Sequence, residues 1–351
     1  MFNHPHATGP APSTGAQGCL SSSGPRLSVL KLQPDDTPAR MRSEVAAGLG
    51  RRPRCIPPTY FYDAAGSKLY EQITELPEYY PTRTEAALLR RVAPQLARAL
   101  GNPELVELGS GSSSKTRLLL DAFTAGRHGI TYVPIDVSLS MLFETAERLV
   151  GEYPTLRVMG LAGQFEEALD MLPPSSQRLV LFLGGTIGNF TPTYQEAFVA
   201  RLGECMAPGS HFLLGFDRRP HARKPASRIQ AAYNDAQGLT ARFNRNLLER
   251  LNRELGATFR LDAWAHRAHY NPAEHQIEMY LESQVAQEVR LEALDLTVAF
   301  DAHERILTEI SRKFDPSELA GWFEDRGFRA LQHWTDDRQD FSLMLFKREA
   351  V

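Results

Sequence analysis

Short apolar segments alternate with amphipathic segments between residues 100 and 217, and this alternation constrains the fold more than any other feature. The clearest apolar segment has a fully apolar centre and ends at the pair Gly184–Gly185. Because amphipathic segments separate the apolar ones, we predict strands joined by helices in right-handed crossovers, and hence a parallel sheet. The predicted strands are Glu104–Leu108, Ile130–Val137, Leu156–Met159, Arg178–Leu183 and His211–Asp217, and the predicted helices include Lys115–Phe123 and Met141–Val150.

The alternation stops at residue 218 and resumes near residue 314. Residues 218–258 have the apolar spacing of one or two long helices, and residues 259–312 have the period-two pattern of strands. A capping residue followed by proline then starts a further helix at Asp315. The two final strands, Phe328–Trp334 and Phe341–Phe346, are joined by a short loop and are predicted to be antiparallel. An inserted block therefore interrupts an α/β domain, and we expect the active site between the two, outside the carboxyl ends of the parallel strands.

The N-terminal region is harder to place. Residues 1–25 contain four glycines, four prolines and four serines but no charged side chain, so they cannot bury enough apolar area to offset their ordering entropy. We predict a disordered tail there. Apolar residues at helical spacing predict a helix over Ser67–Leu76. Pro77 and Pro81 are predicted to end that helix and to leave residues 78–80 in an irregular loop.

The charge and the cysteine content exclude several classes of protein. Lys and Arg number 39 and Asp and Glu 42, a net charge of −3, which disfavours nucleic-acid binding through phosphate neutralisation. Three widely spaced cysteines indicate neither a disulfide framework nor a zinc cluster. No apolar run approaches the roughly 20 residues that span a bilayer, and no secretory signal is visible. A cytoplasmic enzyme or binding protein is the class that remains.

A glycine-rich turn lies between the first predicted strand and its helix. Gly109 and Gly111 allow backbone N–H groups to approach a polar ligand closely. Asp136 ends the next strand, where its carboxylate can accept hydrogen bonds from two ribose hydroxyls. The third glycine of a dinucleotide fingerprint is replaced by Ser114, so the glycine motif alone is weak evidence. The placement of Asp136 and the antiparallel final hairpin favour S-adenosylmethionine over NAD. A tight turn beside a helix-capping aspartate is the alternative explanation.

Several long motifs occur in one order from about residue 50 to the end of the chain. They are YFYDAAGSKLYEQITELPEYYPTRTE, LVELGSGSSSKTRLLLDA, YVPIDVS, LFLGGTIGNF, AAYNDAQGLTARFNRNLLERLNRELGA, IEMYLES, LTEISRKF and HWTDDRQDFSLMLF. In these motifs the chain resembles the L-histidine Nα-methyltransferases of ergothioneine biosynthesis. The resemblance implies an α/β, Rossmann-like class I methyltransferase fold, with a seven-stranded sheet whose last strand is antiparallel and a second α+β domain that binds substrate.

The resemblance agrees with the domain division predicted from the alternation. Residues 1–25 are the predicted tail, residues 26–84 and 218–313 the substrate-binding domain, and residues 85–217 and 314–351 the domain that binds S-adenosylmethionine. The implied activity is the Nα-trimethylation of L-histidine to hercynine with S-adenosylmethionine as methyl donor, which is the first step of ergothioneine biosynthesis.

Substrate contacts also follow from the resemblance. Tyr62 and Asn189 correspond to contacts to the reacting amine, and the Gly184 carbonyl is expected to face that amine. Tyr233, together with Asn189, corresponds to the clamp on the substrate carboxylate. Any one of these side chains alone is more typical of packing, and it is the full set in family order that favours a functional interpretation. The remaining members, which form the implied imidazole pocket, are Tyr79, Met279, Glu309 and Ser311.

The same resemblance assigns a cofactor site and no metal site. Where the family commonly has Asp-Phe, this chain has Gln164-Phe165, and the amide oxygen of Gln164 can still accept a hydrogen bond from an adenine amino group. His266 and His269 lie on a predicted strand, where this spacing does not set both rings on one face, so no metal is predicted. The implied S-adenosylmethionine contacts are Gly109, Gly111, Lys115, Asp136, Gln164 and Phe165.

Two alternatives to histidine methylation stay open. The chain could methylate another aromatic amino acid or an indole amine, or it could be a catalytically silent nucleoside-binding module. The presence of Tyr62 and Asn189 disfavours the silent module. The predicted partner is the small-molecule substrate L-histidine, with no nucleic-acid or membrane partner, and the chain is expected to be a monomer.

Overall fold

The computed structural model describes residues 19–32, 37–111, 113–125 and 129–350. Among the helices of these ranges, none is both long enough and apolar enough to cross a membrane. The strands are β1 Cys19–Gly24, β2 Leu27–Lys31, β3 Arg54–Cys55, β4 Glu104–Leu108, β5 Ile130–Asp136, β6 Leu156–Ala162, β7 Arg178–Phe182, β8 His211–Asp217, β9 Trp264–Asn271, β10 Gln276–Ser283, β11 Gln287–Leu291, β12 Leu296–Phe300, β13 Arg305–Arg312, β14 Phe328–Thr335 and β15 Phe341–Arg348. The α-helices are α1 Thr37–Gly50, α2 Ala64–Thr74, α3 Tyr80–Leu100, α4 Thr116–Thr124, α5 Leu139–Glu152, α6 Phe165–Asp170, α7 Pro192–Cys205, α8 Ala226–Ala231, α9 Leu239–Leu255 and α10 Pro316–Glu324. Short 3-10 helices cover Pro58–Phe61, Thr186–Asn189, Leu261–Ala263 and Glu292–Leu294.

The larger sheet has the topology that the alternation predicts. In the described part of the chain its strand order is β1-β2-β6-β5-β4-β7-β8-β15-β14. The strands from β2 to β8 in this order run parallel, and β15 is antiparallel to both of its neighbours, β8 and β14. The predicted α/β fold with an antiparallel last strand is therefore confirmed, although this sheet has nine strands in the described residues rather than seven.

The two additional strands correct two predictions about the N-terminal region. The sequence predicts a disordered tail over residues 1–25 and a substrate domain that begins at residue 26. Instead, β1 pairs with β2, and β2 pairs in parallel with β6 of the larger sheet. Leu27 and Val29 are buried in its core and alternate with half-buried residues, a short period-two pattern that the averaged composition conceals. Residues 1–18 of the predicted tail lie outside the described residues.

A smaller sheet, in the order β3-β13-β10-β9, is built from the inserted block and from the segment before the larger sheet. Helix α9 packs against β9 and β10 of this sheet. The buried apolar residues around the smaller sheet come from residues 41–80 and 229–306, and they form one continuous core. The larger sheet has separate apolar clusters, formed by alternate residues along its strands, and helices cover both of its faces.

The helix boundary at Pro81 differs from the prediction. Helix α2 ends before Pro77, as expected, but Pro81 lies in the first turn of α3 rather than in a loop. Proline is tolerated there because the first-turn N–H groups have no acceptor within the helix. Tyr80 is therefore helical and buried. The predicted helix start at Asp315 is confirmed, since this side chain accepts hydrogen bonds from two backbone N–H groups of α10.

The assignment of β2 to the larger sheet predicts a large stability effect at Leu27. Truncation by Leu27→Ala is expected to lower the free energy of unfolding by about 2–5 kcal/mol, because a cavity forms in a packed core. Ser28→Ala, at a half-buried neighbour on the same strand, is expected to change it by at most about 0.5 kcal/mol. Urea unfolding of the two variants measures the difference, and equally small effects would contradict the assignment.

Candidate active site

The glycine-rich turn follows β4, at the carboxyl edge of the parallel strands. Gly109 has a φ of +74°, a left-handed conformation that side chains disfavour, and its N–H donates to the Ile135 carbonyl at 2.9 Å. A Cβ atom at Gly109 would lie 3.6 Å from the Phe165 ring. Phe165 in turn packs edge-on against Phe182, with 5.7 Å between ring centroids. Gly109 and Phe165, which are both predicted to contact the cofactor, therefore lie next to each other.

Asp136 closes this turn from the end of β5. One carboxylate oxygen accepts from the N–H of Gly111 at 2.9 Å and the other accepts from the N–H of Ser138 at 3.0 Å. Burial raises the pKa of Asp136, and the backbone hydrogen bonds oppose that effect. The neighbouring Ser110 hydroxyl is buried and has no hydrogen-bond partner in the described structure. A carboxylate and an unpaired hydroxyl beside loop backbone suit a polar ligand such as a nucleoside. Gln164 caps α6 without a side-chain capping bond.

Glu85 connects the end of the glycine-rich turn to the loop after β7. The sequence analysis missed this buried glutamate. Its carboxylate accepts from the N–H of Gly184 at 2.8 Å and forms an ion pair with Lys115. The Glu85 side chain is fully buried. It lies on the apolar face of α3, three and four residues before Leu88 and Leu89, and an acid on such a face is the signal that could have identified it.

Four tyrosines, Tyr62, Tyr70, Tyr79 and Tyr233, form an aromatic wall in which their rings pack against one another. The Tyr79 ring contacts the rings of Tyr70 and Tyr233 edge-on, at centroid distances of 6.3 Å and 6.2 Å, and Tyr62 contacts Tyr70 at 5.7 Å. Although 41% of the Tyr62 surface is accessible, the surrounding protein removes enough water to raise the pKa of Tyr62 well above its usual value. Smaller contributions to this shift come from neighbours on both sides, including Tyr70, Glu309 and Asp136. The Tyr62 hydroxyl is therefore within electrostatic range of both Glu309 and Asp136.

Met279 and Glu309 face each other across the antiparallel pair of β10 and β13. Met279 is buried and directly opposite Glu309, so both side chains lie on one face of the smaller sheet. Burial raises the pKa of Glu309 to about 7, although the charge of Lys313 and a hydrogen bond from Asn189 act in the opposite direction. The structure thus places the predicted acid beside the predicted apolar wall.

Asn189 ends the 3-10 helix after β7, which packs directly on β13. Its side-chain amide nitrogen donates to the Ile310 carbonyl at 2.9 Å. The same amide acts to lower the pKa of the Glu309 carboxyl. Because the nitrogen is held at the smaller sheet, the carbonyl oxygen of Asn189 can accept from a ligand. An acceptor at this position suits the N–H of an amine.

A hydrogen-bonded cluster around Lys313, which the sequence analysis also missed, holds the other predicted substrate residues. The Tyr233 hydroxyl donates to the Ser311 hydroxyl at 2.8 Å. The Lys313 ammonium donates to Ser311 at 2.9 Å and to Tyr233 at 3.2 Å, and lies 3.0 Å from Asp217. Burial opposes the charge of Lys313, but attraction to Asp217 outweighs it and raises the pKa of Lys313. The signal in the sequence was the period of two that continues from Glu309 through Ser311 to Lys313.

The predicted residues thus form two connected groups. Gly109, Gly111, Asp136 and Phe165 gather at the glycine-rich turn, whereas the aromatic wall, Met279, Glu309, Ser311 and Asn189 gather at the smaller sheet. The ion pair of Glu85 with Lys115 and its bond to Gly184 lie between these groups.

The histidines near the site have structural contacts. His266 shares hydrogen bonds with the Asn244 side chain and with the Tyr233 carbonyl, both at 2.9 Å. These contacts position the backbone of Tyr233. Among the described residues, no group of three or more His, Cys, Asp or Glu side chains is arranged to hold a metal ion.

Comparisons with known proteins identify relatives of this chain. The chain is 45% identical over 317 residues to a histidine N-alpha-methyltransferase of Mycolicibacterium smegmatis, a match that covers 90% of this chain and 98% of the relative. It is 28% identical to ergothioneine biosynthesis protein 1 of Schizosaccharomyces pombe, covering 84% of this chain and 39% of the relative. It is 24% identical to a 4-dimethylallyltryptophan N-methyltransferase of Claviceps purpurea, covering 92% and 99%.

A family model described as "Histidine-specific methyltransferase, SAM-dependent" matches residues 41–348. This match spans most of the chain and includes both groups of site residues. The chain therefore belongs to the histidine-specific, S-adenosylmethionine-dependent methyltransferase family.

Proposed function

We propose that this enzyme methylates the α-amino nitrogen of L-histidine three times, which gives hercynine and begins ergothioneine biosynthesis. The observation that carries the proposal is the position of Glu309: a partly charged acceptor on the smaller sheet, bonded to Asn189 and facing the cleft beside Met279. The mycobacterial and fungal relatives named for histidine methylation and ergothioneine biosynthesis support it.

The residues of the glycine-rich turn fit S-adenosylmethionine. Asp136 offers charged acceptors for two ribose hydroxyls, and Ser110 offers a buried hydroxyl without a partner. Lys115 is a cation at the start of α4, suited to a carboxylate, and Phe165 is an apolar surface for a base. When bound, the cofactor supplies a methyl group activated by a sulfonium.

Carbonyl and hydroxyl groups orient the α-amine of the substrate. None of these groups is a strong base. The Asn189 carbonyl oxygen and the Gly184 carbonyl can accept from the amine N–H groups. The Tyr62 hydroxyl is within electrostatic range of both Glu309 and Asp136. The amine must be neutral to offer its lone pair, and its protons leave to water. Holding this geometry supplies much of the rate, because the displacement requires the reacting atoms in line.

Selection of the imidazole ring depends on Glu309. A carboxylate that accepts from the imidazole N–H makes a charge-assisted hydrogen bond. A phenyl ring would leave Glu309 desolvated and without that partner, which disfavours apolar side chains. A second candidate, an N-methyltransferase of an indole amino acid, is supported by the distant relative that acts on a tryptophan derivative.

The direct test is incubation of the purified protein with histidine and S-adenosylmethionine, followed by mass spectrometry. Successive mass gains of one CH₂ unit, up to three, are expected on histidine, and fragmentation should place them on the α-nitrogen. Methylation of tryptophan in preference to histidine would favour the second candidate. Absence of any product with either amino acid, together with measurable cofactor binding, would indicate a silent module.

Removal of the Asp136 carboxylate should weaken cofactor binding. Asp136→Ala deletes charged hydrogen bonds worth about 1.5–3 kcal/mol, so the affinity for S-adenosylmethionine is expected to fall roughly ten- to a hundredfold. Asp136→Asn keeps one acceptor and is expected to lose less. Isothermal titration calorimetry measures both, and a wild-type affinity in a folded Asp136→Ala protein would exclude the ribose role.

Removal of the Glu309 carboxylate should relax the preference for histidine. Glu309→Ala deletes a charged bond of about 1.5–3 kcal/mol, so the preference for histidine over tryptophan is expected to fall roughly ten- to a hundredfold. Adding Met279→Val enlarges the pocket and should lower it further. Competition between equal concentrations of the two amino acids is the measurement. An unchanged preference would show that Glu309 does not contact the imidazole.

The pKa of Glu309 predicts a pH dependence. Burial raises the pKa of Glu309 to about 7, so the carboxyl group is neutral below that pH and charged above it. Because the neutral form is a poorer acceptor, kcat/KM for histidine is expected to fall as pH decreases below about 7, approaching tenfold per pH unit. In Glu309→Gln the pH dependence of kcat/KM that Glu309 causes should disappear, while the pH dependence that the substrate's own groups cause remains. Identical profiles for the two proteins would contradict the assignment.

A further inference from the structure

We propose that Lys313 selects for the α-carboxylate of the substrate, acting as a positioning residue through the hydroxyls of Tyr233 and Ser311. This inference rests on the proposed function, since it concerns how an amino acid is held in the same cleft. It assigns a role to Lys313, which hydrogen-bonds the predicted clamp residue Tyr233 and is not itself expected to contact the substrate.

Lys313 determines the direction of the hydrogen bonds around it. An ammonium group can only donate, so the oxygens of Tyr233 and Ser311 both accept from Lys313. The proton of each hydroxyl is therefore free to be donated. Tyr233 donates its proton to Ser311 in this structure and can donate it to a carboxylate instead. Lys313 thus leaves both hydroxyl protons available for donation, and that of Tyr233, the predicted clamp residue, is the one an anionic ligand needs.

Asp217 is shared by two buried ammonium groups, those of Lys313 and Lys224. Its other side-chain partner is the neutral hydroxyl of Tyr80. Only Lys313 of the two lysines also donates to Tyr233 and Ser311.

Lys224 provides a matched control. It is buried and paired with the same Asp217, but its other hydrogen bonds go to the carbonyl oxygens of Arg218 and Asp340, and not to Tyr233 or Ser311. If Lys313 served only to neutralise Asp217, loss of either lysine should have the same consequence for ligand binding.

The experiment compares histidine with histamine, which has the same ring and amine but no carboxylate. KM and kcat for histidine, and the inhibition constant of histamine, are measured for the wild type, Lys313→Met, Lys313→Arg and Lys224→Met. In Lys313→Met the KM for histidine should rise roughly ten- to a hundredfold relative to the histamine constant, with a smaller change in kcat. Lys313→Arg should restore part of this difference, and Lys224→Met should leave the ratio near the wild-type value.

Two results would overturn the role of Lys313. One is an equal loss for histidine and histamine in Lys313→Met, and the other is the same change of ratio in Lys224→Met. If Lys313→Met does not fold, Lys313→Gln, which keeps donors but not the charge, must show the shift in ratio. A wild-type protein that does not methylate histidine would refute the proposed function instead, so the two failures are distinguishable.

Discussion

The buried carboxylate of Asp217 joins the two sheets, and the cleft between them depends on it. Asp217 ends β8 of the larger sheet and lies 3.0 Å from Lys313, which follows β13 of the smaller one. The backbone is joined at the same place, because the N–H of Phe314 donates to the Asp217 carbonyl at 3.0 Å. Burial acts to raise the pKa of Asp217, but Lys224 and Lys313 outweigh that effect and lower it. Removal of the Asp217 carboxylate would leave two buried ammonium groups without their shared partner, and breaking a buried pair in this way costs about 3–5 kcal/mol.

The first turns of α3 connect this junction to the glycine-rich turn. The Tyr80 hydroxyl donates to Asp217 at 2.8 Å, and Glu85, five residues later, bonds Gly184 and Lys115. A Cβ atom at Gly215 would collide with the Glu85 carboxylate, so the glycine in β8 is what admits this side chain. One helix therefore sets the position of the loop after β7 relative to the glycine-rich turn. The Glu85 carboxylate holds both the backbone N–H of Gly184 and the ammonium group of Lys115.

The sequence was sufficient to predict the parallel sheet, and it named candidate site residues that the structure brings close together, but it did not reveal the buried charges among them. Periodicity reports burial of apolar residues, and it identified each parallel strand from β4 to β8. It ended β6 too early, at Met159, because Gly160 interrupts the apolar pattern. The structure needs a small residue there, since a Cβ atom would lie 3.1 Å from Leu142. Glu85 and Lys313 were missed for a related reason: a charged residue is normally assigned to the surface, and only tertiary contacts reveal its buried partners.

The arrangement of these charges explains how one cleft could serve three successive methylations. Under the proposed function, the ring and the carboxylate are held at Glu309 and at the Tyr233 cluster, and neither contact involves the amine. Each methylation replaces an amine N–H, so fewer N–H groups remain to donate to the Asn189 oxygen and the Gly184 carbonyl, while the two other contacts persist. The trimethylated nitrogen has no N–H left to donate. Intermediates therefore keep most of their binding energy, and the final product loses the contact that oriented the amine for transfer.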